Sequence, residues 1–397
     1  MEVVGRVIKK HPVPNLVADR DEFRRIFEDM RRSAGDFIPT PTWLLCKHPD
    51  EIELEDTSQI IDAASSDEVF DREFSALEQR MIGWVGFHAL NITDESVASN
   101  VADYAALLRD NDPLGLWRAN VEDASVAASM RVADLGSIMD LNFIHAQSFD
   151  PARKLTKILE VGGGYGRLAE AALNVFGESV KYVMVDSVPV SLYYAKKYME
   201  RACPHVRVGS YYDGDEFDMN KFECYIIPSW YFEEMNREEY DVCINIESFQ
   251  EMNQGHVDTY LRIFDEVSRD GAMMYVSNAH DYIFKGEWRY PAHWGKLLCA
   301  KTPRAQSRDH RTEVFVKSVG DFSPWNAMLD ATHAYHLRRE DRPPATNGAM
   351  TIGDQVEALA GKRARAALRG GASYIKPLLD RLVALRRGEK GGASARE

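Results

Sequence analysis

The segment that most constrains the fold begins at Ile158 and reads Ile-Leu-Glu-Val-Gly-Gly-Gly-Tyr-Gly-Arg-Leu. Its apolar run is interrupted at Glu160, and glycines follow at Gly162, Gly164 and Gly166. Apolar residues then recur at helical spacing, at Leu168, Ala172, Val175 and Phe176. Glycine is needed where the backbone bends sharply and lies close to a ligand. The segment therefore predicts a strand, a tight glycine turn and a helix that together form a ligand site.

The charge of Glu160 separates two classes of ligand for this turn. A dinucleotide places its pyrophosphate at the N-terminus of the helix, and a carboxylate at the mouth of the turn would repel it. The same carboxylate would attract S-adenosylmethionine (SAM), which carries a sulfonium and an ammonium group. A nicotinamide dinucleotide remains the alternative, because Gly164-x-Gly166-x-x-Ala169 fits the looser dinucleotide fingerprint.

From about residue 151, short apolar runs alternate with helical segments. The predicted strands are Ile158–Val161, Tyr182–Val185, Cys224–Ile227, Val242–Ile246 and Met273–Ser277, with Thr312–Val319 and His333–Arg338 as two further strands at the edge. Such alternation predicts an α/β fold with a seven-stranded, mostly parallel sheet that is covered by helices on both faces. Ligands are then expected at the carboxyl ends of the strands.

Three regions are expected along the chain. Residues 1–150 form a helical N-terminal region that could cap an acceptor site, residues 151–345 form the sheet domain, and residues 346–397 form a basic, partly helical tail. The N-terminal helices are predicted at Asp21–Arg32, Ile60–Ala64, Phe74–His88, Val97–Leu108 and Val126–Phe143.

Composition limits the partners and the compartment. The 397 residues carry a net charge of −14, and an acidic body argues against a nucleic-acid groove. The basic tail suggests weak contact with an anionic membrane surface, contact with an acidic partner, or a solvated terminus. No apolar run is long enough for a membrane helix, and the N-terminus lacks the apolar stretch of a secretion signal. The five cysteines are scattered, which favours a reducing cytoplasm.

Polar residues that follow the predicted strands form the proposed SAM site. Asp186 closes the second strand, where a carboxylate suits the two hydroxyls of an adenosine ribose. Glu160 would hold the methionine ammonium, directly or through water, and Ser229 and Trp230 would flank the adenine, with a core aromatic as the alternative for Trp230. The predicted SAM-binding residues are Glu160, Gly162, Gly164, Tyr165, Gly166, Asp186, Ser229 and Trp230.

Over residues 155–295 the sequence resembles class I SAM-dependent methyltransferases, and within them the bacterial sugar O-methyltransferase family. The resemblance is carried by Gly-Gly-Gly-Tyr-Gly-Arg-Leu from Gly162, by Val185–Tyr194, by Asn245–Met252, and by Asn278 and Tyr290-Pro291. Ser187-Val188-Pro189 departs from the Asp-x-Pro-Pro typical of the family after its second strand. The resemblance implies a Rossmann-like fold and methyl transfer to a hydroxyl of a nucleotide sugar, a surface glycan or a glycosylated metabolite.

Three other functions stay open beside sugar O-methylation. The first is methylation of a nitrogen, a carbon or a phenolic oxygen on a small metabolite. The second is a SAM-binding scaffold without turnover. The third is an NAD(P) oxidoreductase, because a reductase would also bind ribose through Asp186.

Methylation of a sugar hydroxyl needs a base near the oxygen. The resemblance implies a Glu-His pair after the fourth strand, and Glu251 falls at the histidine position. Glu251 is predicted to be a general base or a carboxylate that orients the acceptor, with a structural carboxylate as the alternative. His280, just past the fifth strand, is the second catalytic candidate. A divalent metal could acidify the hydroxyl, but none is predicted. An aromatic stretch either lines the acceptor pocket or covers the edge of the sheet: Trp288, Tyr290, His293 and Trp294.

Overall fold

The computed structural model describes residues 19–37, 39, 67–71, 74–75, 92–95, 98–108, 112–128, 130–148, 156–280, 288–302 and 309–340. These residues form an α/β structure around a sheet of eight strands in the order β3-β4-β2-β1-β5-β6-β8-β7. The strands are β1 (Thr156–Val161), β2 (Val180–Asp186), β3 (Val208–Ser210), β4 (Cys224–Pro228), β5 (Tyr240–Ile246), β6 (Ser268–Ala279), β7 (Trp294–Lys301) and β8 (His310–Lys317). This confirms the predicted fold class.

The sheet is parallel except at one strand. β3, β4, β2, β1, β5 and β6 pair in parallel. β8 lies antiparallel between β6 and β7, and its register places Glu313 opposite Val276 and His310 opposite Ala279. This pairing brings the C-terminal strands beside the carboxyl end of β6.

The predicted count of seven strands is wrong by one, because two strands were missed and one was misassigned. β3 has only the residues Val-Gly-Ser, too few to show a period of two. In β7 the apolar run Leu297–Ala300 is short, only partly buried and flanked by Lys296 and Lys301, so the sequence does not predict a strand there. His333–Arg338, predicted as a strand, lies inside the helix Ser323–Glu340. That helix starts after Asp321, whose side chain accepts from the backbone N–H of Ser323.

The described helices lie on both faces of the sheet. They are α1 (Arg20–Ser33), α2 (Ala98–Leu108), α3 (Ala124–Ala127), α4 (Val132–Ser148), α5 (Arg167–Phe176), α6 (Pro189–Ala202), α7 (Ser229–Met235), α8 (Gln254–Val267) and α9 (Ser323–Glu340). Short 3₁₀ turns occur at Gly35–Phe37, Gly177–Ser179, Tyr211–Asp213 and Phe249–Glu251, and a π-helical turn at Arg118–Glu122. Among the described helices, none is both long enough and apolar enough to cross a membrane.

Alternation along the strands builds one core on each face. Ile158 of β1 and Tyr182 of β2 belong to the buried cluster that includes α1, α2, α4, α5 and α6. Leu159 and Val183, one residue further along, belong to the cluster that includes α7 and α8. The N-terminal helices and the sheet thus share one of the two cores.

The N-terminal helices agree in part with their predictions. α1 and α2 confirm the helices predicted at Asp21–Arg32 and Val97–Leu108. The helix predicted at Val126–Phe143 is instead two helices, α3 and α4, because Asp134 accepts from the backbone N–H of Arg131 and so starts a new helix there. Ile60–Ala64, most of Phe74–His88 and the tail 346–397 lie outside the described residues.

Candidate functional site

The turn between β1 and α5 has a left-handed backbone at three glycines. The φ angles are +74° at Gly162, +55° at Gly164 and +97° at Gly166. The N–H of Gly162 donates to the carbonyl of Val185 at 2.8 Å, which fixes the turn beside the end of β2. Residues with a Cβ rarely adopt these angles. The predicted glycine turn is confirmed.

Asp186 ends β2 and is hydrogen-bonded to this turn. Its Oδ2 accepts from the N–H of Gly164 at 3.1 Å, and its Oδ1 accepts from the N–H of Val188 at 2.8 Å. Burial raises the pKa of Asp186 to about 6, although these backbone donors oppose the rise. The N–H of Ser187 and the hydroxyl of Ser191 also donate to this carboxylate and oppose the rise. Asp186 is thus an acidic strand end beside a glycine turn, which is where a ribose hydroxyl is bound in folds of this kind.

Glu160 lies beneath the turn rather than at its lip. Its side chain is only 4% exposed, and its Oε2 accepts from the hydroxyl of Tyr182 at 2.8 Å. A Cβ on Gly163 would lie 3.3 Å from the same oxygen. Burial raises the pKa of Glu160 to about 7. A cation bound above the turn would favour the ionised form of the Glu160 carboxyl. Because Glu160 is buried, either a water molecule must connect it to the cation or the turn must shift to bring them into contact.

Ser229 is joined to the residue that follows Asp186. The Ser187 hydroxyl donates to Ser229 Oγ at 2.9 Å, and the Tyr260 hydroxyl donates to it at 2.7 Å. The Tyr260 ring packs against Phe37, with ring centroids 5.7 Å apart. The three hydroxyls form a buried polar group between the ends of β2 and β4. Ser187 and Tyr260 were not predicted at the site.

Tyr165 and Trp230, two of the predicted SAM residues, have partners elsewhere. Tyr165 is 6% exposed and packs edge-on against Tyr198, with centroids 5.0 Å apart. The Trp230 indole N–H donates to Asp29 of α1 at 3.2 Å. The structure therefore brings together Glu160, the three glycines, Asp186 and Ser229, whereas Tyr165 faces α6 and Trp230 faces α1.

The turn after β5 is held by two buried asparagines that sequence reasoning did not place at the site as ligands or supports. The side-chain amide of Asn278 donates to Asn245 Oδ1 at 2.9 Å, and Asn278 Oδ1 accepts from the N–H of Ser248 at 2.9 Å. Asn245 Oδ1 also accepts from the N–H of Phe249 at 3.0 Å. Between them, Glu247 has a φ of +52°, which strains a residue with a Cβ. In the sequence, both asparagines were marked by their position at strand ends and by the resemblance over Asn245–Met252 and Asn278.

Glu251, the first catalytic candidate, ends the 3₁₀ turn Phe249–Glu251. Its N–H donates to the carbonyl of Ser248 at 3.1 Å, and the residue is partly buried. The asparagine-supported turn therefore presents this carboxylate beyond the carboxyl end of the central strand β5, next to the strand that carries the glycine turn.

His280, the second candidate, follows the carboxyl end of β6. Its ring packs on Trp288 with centroids 4.4 Å apart, and its side chain is 13% exposed. Nε2 lies 3.3 Å from Oε2 of Glu313. The two residues are 33 positions apart in sequence and meet because β8 is antiparallel to β6.

Glu313 is fully buried and remains charged. Burial disfavours the carboxylate, but the ammonium of Lys296 and the neighbouring His280 hold its pKa well below its usual value. Lys296 donates to Glu313 Oε1 at 2.5 Å and also contacts Asp330, and the Tyr290 hydroxyl donates to Glu313 Oε2 at 2.8 Å. In the sequence, Lys296 precedes the apolar run Leu297–Ala300 and Glu313 precedes Val314–Val316, and a charge beside an apolar run was the available signal.

One group of potential metal ligands occurs within the described part of the chain. Single ligand atoms of Cys299, Glu313 and Asp330 lie within 4.8 Å of one another. The Lys296 ammonium already contacts both carboxylates, so it supplies the positive charge that a metal would bring.

Three residues of the aromatic stretch contact carboxylates, namely Tyr290, His293 and Trp294, and the fourth packs on His280. Trp294 is fully buried, and its indole N–H donates to Asp265 at 2.9 Å. Tyr290 is bonded to Glu313, as described above. Trp288 alone of the stretch packs against His280.

The N-terminal region is tied to the glycine turn through Arg167, the first residue of α5. Its guanidinium donates to Ser137 Oγ at 2.9 Å and to Asp140 Oδ2 at 3.0 Å, both on α4. Tyr275 of β6 donates to the other oxygen of Asp140 at 2.7 Å. Because Asp140 is completely buried, this ion pair fixes α4 against both the turn and the sheet.

No protein-family model and no curated protein matches the sequence. Solved structures resemble it in fold. TrmN from Thermus thermophilus is 12% identical at a TM-score of 0.33, over 46% of this chain and 48% of its own length. An O-methyltransferase from Bacillus cereus in complex with SAH is 13% identical at a TM-score of 0.32, over 61% of this chain and 97% of its own length. The CurJ carbon methyltransferase is 13% identical at a TM-score of 0.34, over 76% of this chain and 94% of its own length. This chain thus spans less than half of TrmN, and the likeness to all three is one of fold alone.

Proposed function

We propose that this chain is a SAM-dependent methyltransferase that transfers a methyl group to a hydroxyl of a sugar. The observation that carries the proposal is the hydrogen bond between Asp186 and the N–H of Gly164, which joins an acidic strand end to a left-handed glycine turn. Bound SAM would supply a methyl group that its sulfonium makes electrophilic. The protein must then position an acceptor oxygen and remove its proton.

On the donor side, Asp186 accepts the ribose hydroxyls and the glycine turn lets the backbone approach the ligand. Glu160 contributes negative charge from beneath the turn, which favours a donor with two cationic centres over a dinucleotide with an anionic pyrophosphate. Ser229, with its hydroxyl partners Ser187 and Tyr260, offers hydrogen bonds at the adenine end.

On the acceptor side, Glu251 and His280 are the groups that can take a proton. Both follow strands whose carboxyl ends lie beside β1 or one strand further along the sheet. Methyl transfer to an aliphatic hydroxyl needs such a base, because the hydroxyl is a weak acid. The choice of a sugar rests on the resemblance over residues 155–295, and Trp288 gives an aromatic face next to His280.

Calorimetry with the purified full-length chain tests the donor. We expect SAM to bind and NADH not to bind, because the charge of Glu160 favours a cationic ligand over an anionic pyrophosphate. Asp186→Asn should weaken SAM binding by about 10- to 100-fold, since a charged acceptor of the ribose hydroxyls is lost. Asp258→Asn, at an exposed site on α8, is the matched control and should bind as the wild type does. Binding of NADH in preference to SAM would overturn the proposal.

The acceptor is tested with methyl-labelled SAM. Nucleotide sugars, glycosides, phenols and amines are offered in parallel, and label is expected on a sugar oxygen. Glu251→Gln should keep SAM affinity and lower turnover. Label on phenols or amines only would replace the sugar with another acceptor, and tight SAM binding without any transfer would indicate a scaffold. Full turnover by Glu251→Gln would remove Glu251 from the chemistry.

A further inference from the structure

We propose that Glu313 is a positioning residue that holds the imidazole of His280 with its proton on Nε2, so that Nδ1 takes the proton of the acceptor hydroxyl. This inference rests on the proposed methyltransferase function. It adds a residue from β8, outside every segment that the sequence assigned to the site. It also makes His280 the base that takes the proton, and it leaves Glu251 to orient the acceptor.

The His280 ring is oriented with Nε2 toward Glu313. Nε2 of His280 is enclosed and has no hydrogen bond within the part of the chain that the structure describes. It faces Oε2 of Glu313 at 3.3 Å, and Trp288 packs on the ring. A small rotation of the ring completes the bond, and such bonds are often loose before substrate binds. Because imidazole has two nitrogens, Nδ1 is the one left for a substrate.

The charge on Glu313 would stabilise a protonated His280. An imidazole that gains a proton during the reaction is stabilised by a carboxylate that stays ionised. Glu313 keeps its charge inside the protein because Lys296 and Tyr290 both donate to it. Asp330 in turn contacts the Lys296 ammonium, so the ammonium and the Glu313 carboxylate each have a polar partner besides the other.

The reaction balances with these groups. The acceptor oxygen bonds to the methyl carbon as the methyl–sulfur bond breaks, and the electron pair of that bond stays on sulfur. The hydroxyl proton passes to Nδ1 of His280, and the imidazolium later releases it to solvent. Glu313 remains ionised throughout. The imidazole takes the proton, and the buried carboxylate orients the ring and stabilises the imidazolium.

The test compares Glu313→Gln with Glu170→Gln in the full-length chain. Glu170 is the matched control, because it is also 1% exposed and also binds a cation and a tyrosine, Arg131 and Tyr198. The first measurement is the ring ¹⁵N spectrum of histidine-labelled protein in mildly alkaline buffer, where imidazoles are neutral. His280→Gln identifies the signal. We expect the Nε2–H form in the wild type and in Glu170→Gln, and a mixed or Nδ1–H form in Glu313→Gln.

The second measurement is steady-state methyl transfer to the best acceptor of the screen. Glu313→Gln should lower kcat by roughly 10²- to 10⁴-fold with the KM for SAM unchanged, whereas Glu170→Gln should keep kcat. An unchanged tautomer and kcat in Glu313→Gln would overturn the inference while leaving the methyltransferase assignment standing. If the wild type binds no SAM, the proposed function fails, and the ring spectrum still reports on Glu313 alone.

Discussion

At Gly162, the backbone and a neighbouring side chain both exclude a larger residue. The φ angle of +74° disfavours any L side chain. A Cβ at this position would lie 2.1 Å from Oγ of Ser248, so the turn after β5 packs directly onto the glycine turn. The absence of a side chain at Gly162 therefore sets the distance between the glycine turn and the turn that carries Glu251.

Gly162→Ala should lower the free energy of unfolding by about 2–4 kcal/mol, from the left-handed backbone and from the contact with Ser248. It should also abolish SAM binding, because Ser248 must move. Urea unfolding and calorimetry measure the two effects.

Gly177→Ala separates the two causes. Gly177 has a φ of +57°, but a Cβ there would meet nothing within 4 Å. We expect this variant to lose about 1–2 kcal/mol of stability and to bind SAM normally. Equal losses of binding in both variants would show that the close approach at Gly162 is irrelevant.

Residues beside a strand end could be predicted, and residues inside strands could not. The glycine turn and Asp186 belong to a contiguous pattern of apolar run, bend and helix. Asn278 bonds to Asn245, 33 positions away, and Glu313 meets His280 across β6 and β8. These contacts depend on strand order, which no local spacing encodes.

At the level of elements, α1 covers the adenine end of the proposed site. Asp29 on this helix accepts hydrogen bonds from Trp230 at 3.2 Å, from Tyr231 at 2.9 Å and from Tyr212 at 2.9 Å. The sequence predicted α1 from the spacing of Phe23, Ile26, Phe27 and Met30, all of which are buried. It did not reveal that a polar residue of the same helix would fix the start of α7.

Asp29→Asn should loosen this contact, because an amide has one acceptor oxygen where the carboxylate has two. We expect faster hydrogen exchange in residues 229–235 and SAM binding weakened by about 1–2 kcal/mol. Asp21→Asn, on the exposed side of the same helix, should change neither. If exchange in 229–235 is unaffected by Asp29→Asn, α1 does not hold this end of the site.

At the level of the whole molecule, the proposed donor site costs stability. The pKa of Glu160 rises from its usual 4.5 to about 7, mainly through burial. Between those values the native carboxyl keeps a proton that the unfolded chain has lost, so stability falls as pH rises through this window. At about 1.4 kcal/mol for each pKa unit, the loss amounts to about 3 kcal/mol above pH 7.

Glu160→Gln removes this titration while it keeps an acceptor for Tyr182. Without SAM, the variant should gain stability relative to the wild type as pH rises from 5 to 8, by up to about 3 kcal/mol, as measured by urea unfolding. Glu223→Gln is the control, because the pKa of Glu223 is shifted in the opposite direction from that of Glu160. Arg207 and Lys181 outweigh burial and hold the pKa of Glu223 at about 2, so its effect should be constant over this range. A constant difference for Glu160→Gln would contradict the assignment.

The insertion of β8 between β6 and β7 has a consequence for the order of synthesis. The SAM-binding residues predicted from the sequence all lie at or before Trp230, whereas Glu313 follows about 80 residues later. At about 5–20 residues per second, a ribosome adds that stretch in roughly 4–16 s. During this interval the nascent chain has all of these predicted residues but still lacks Glu313, the carboxylate proposed to hold His280.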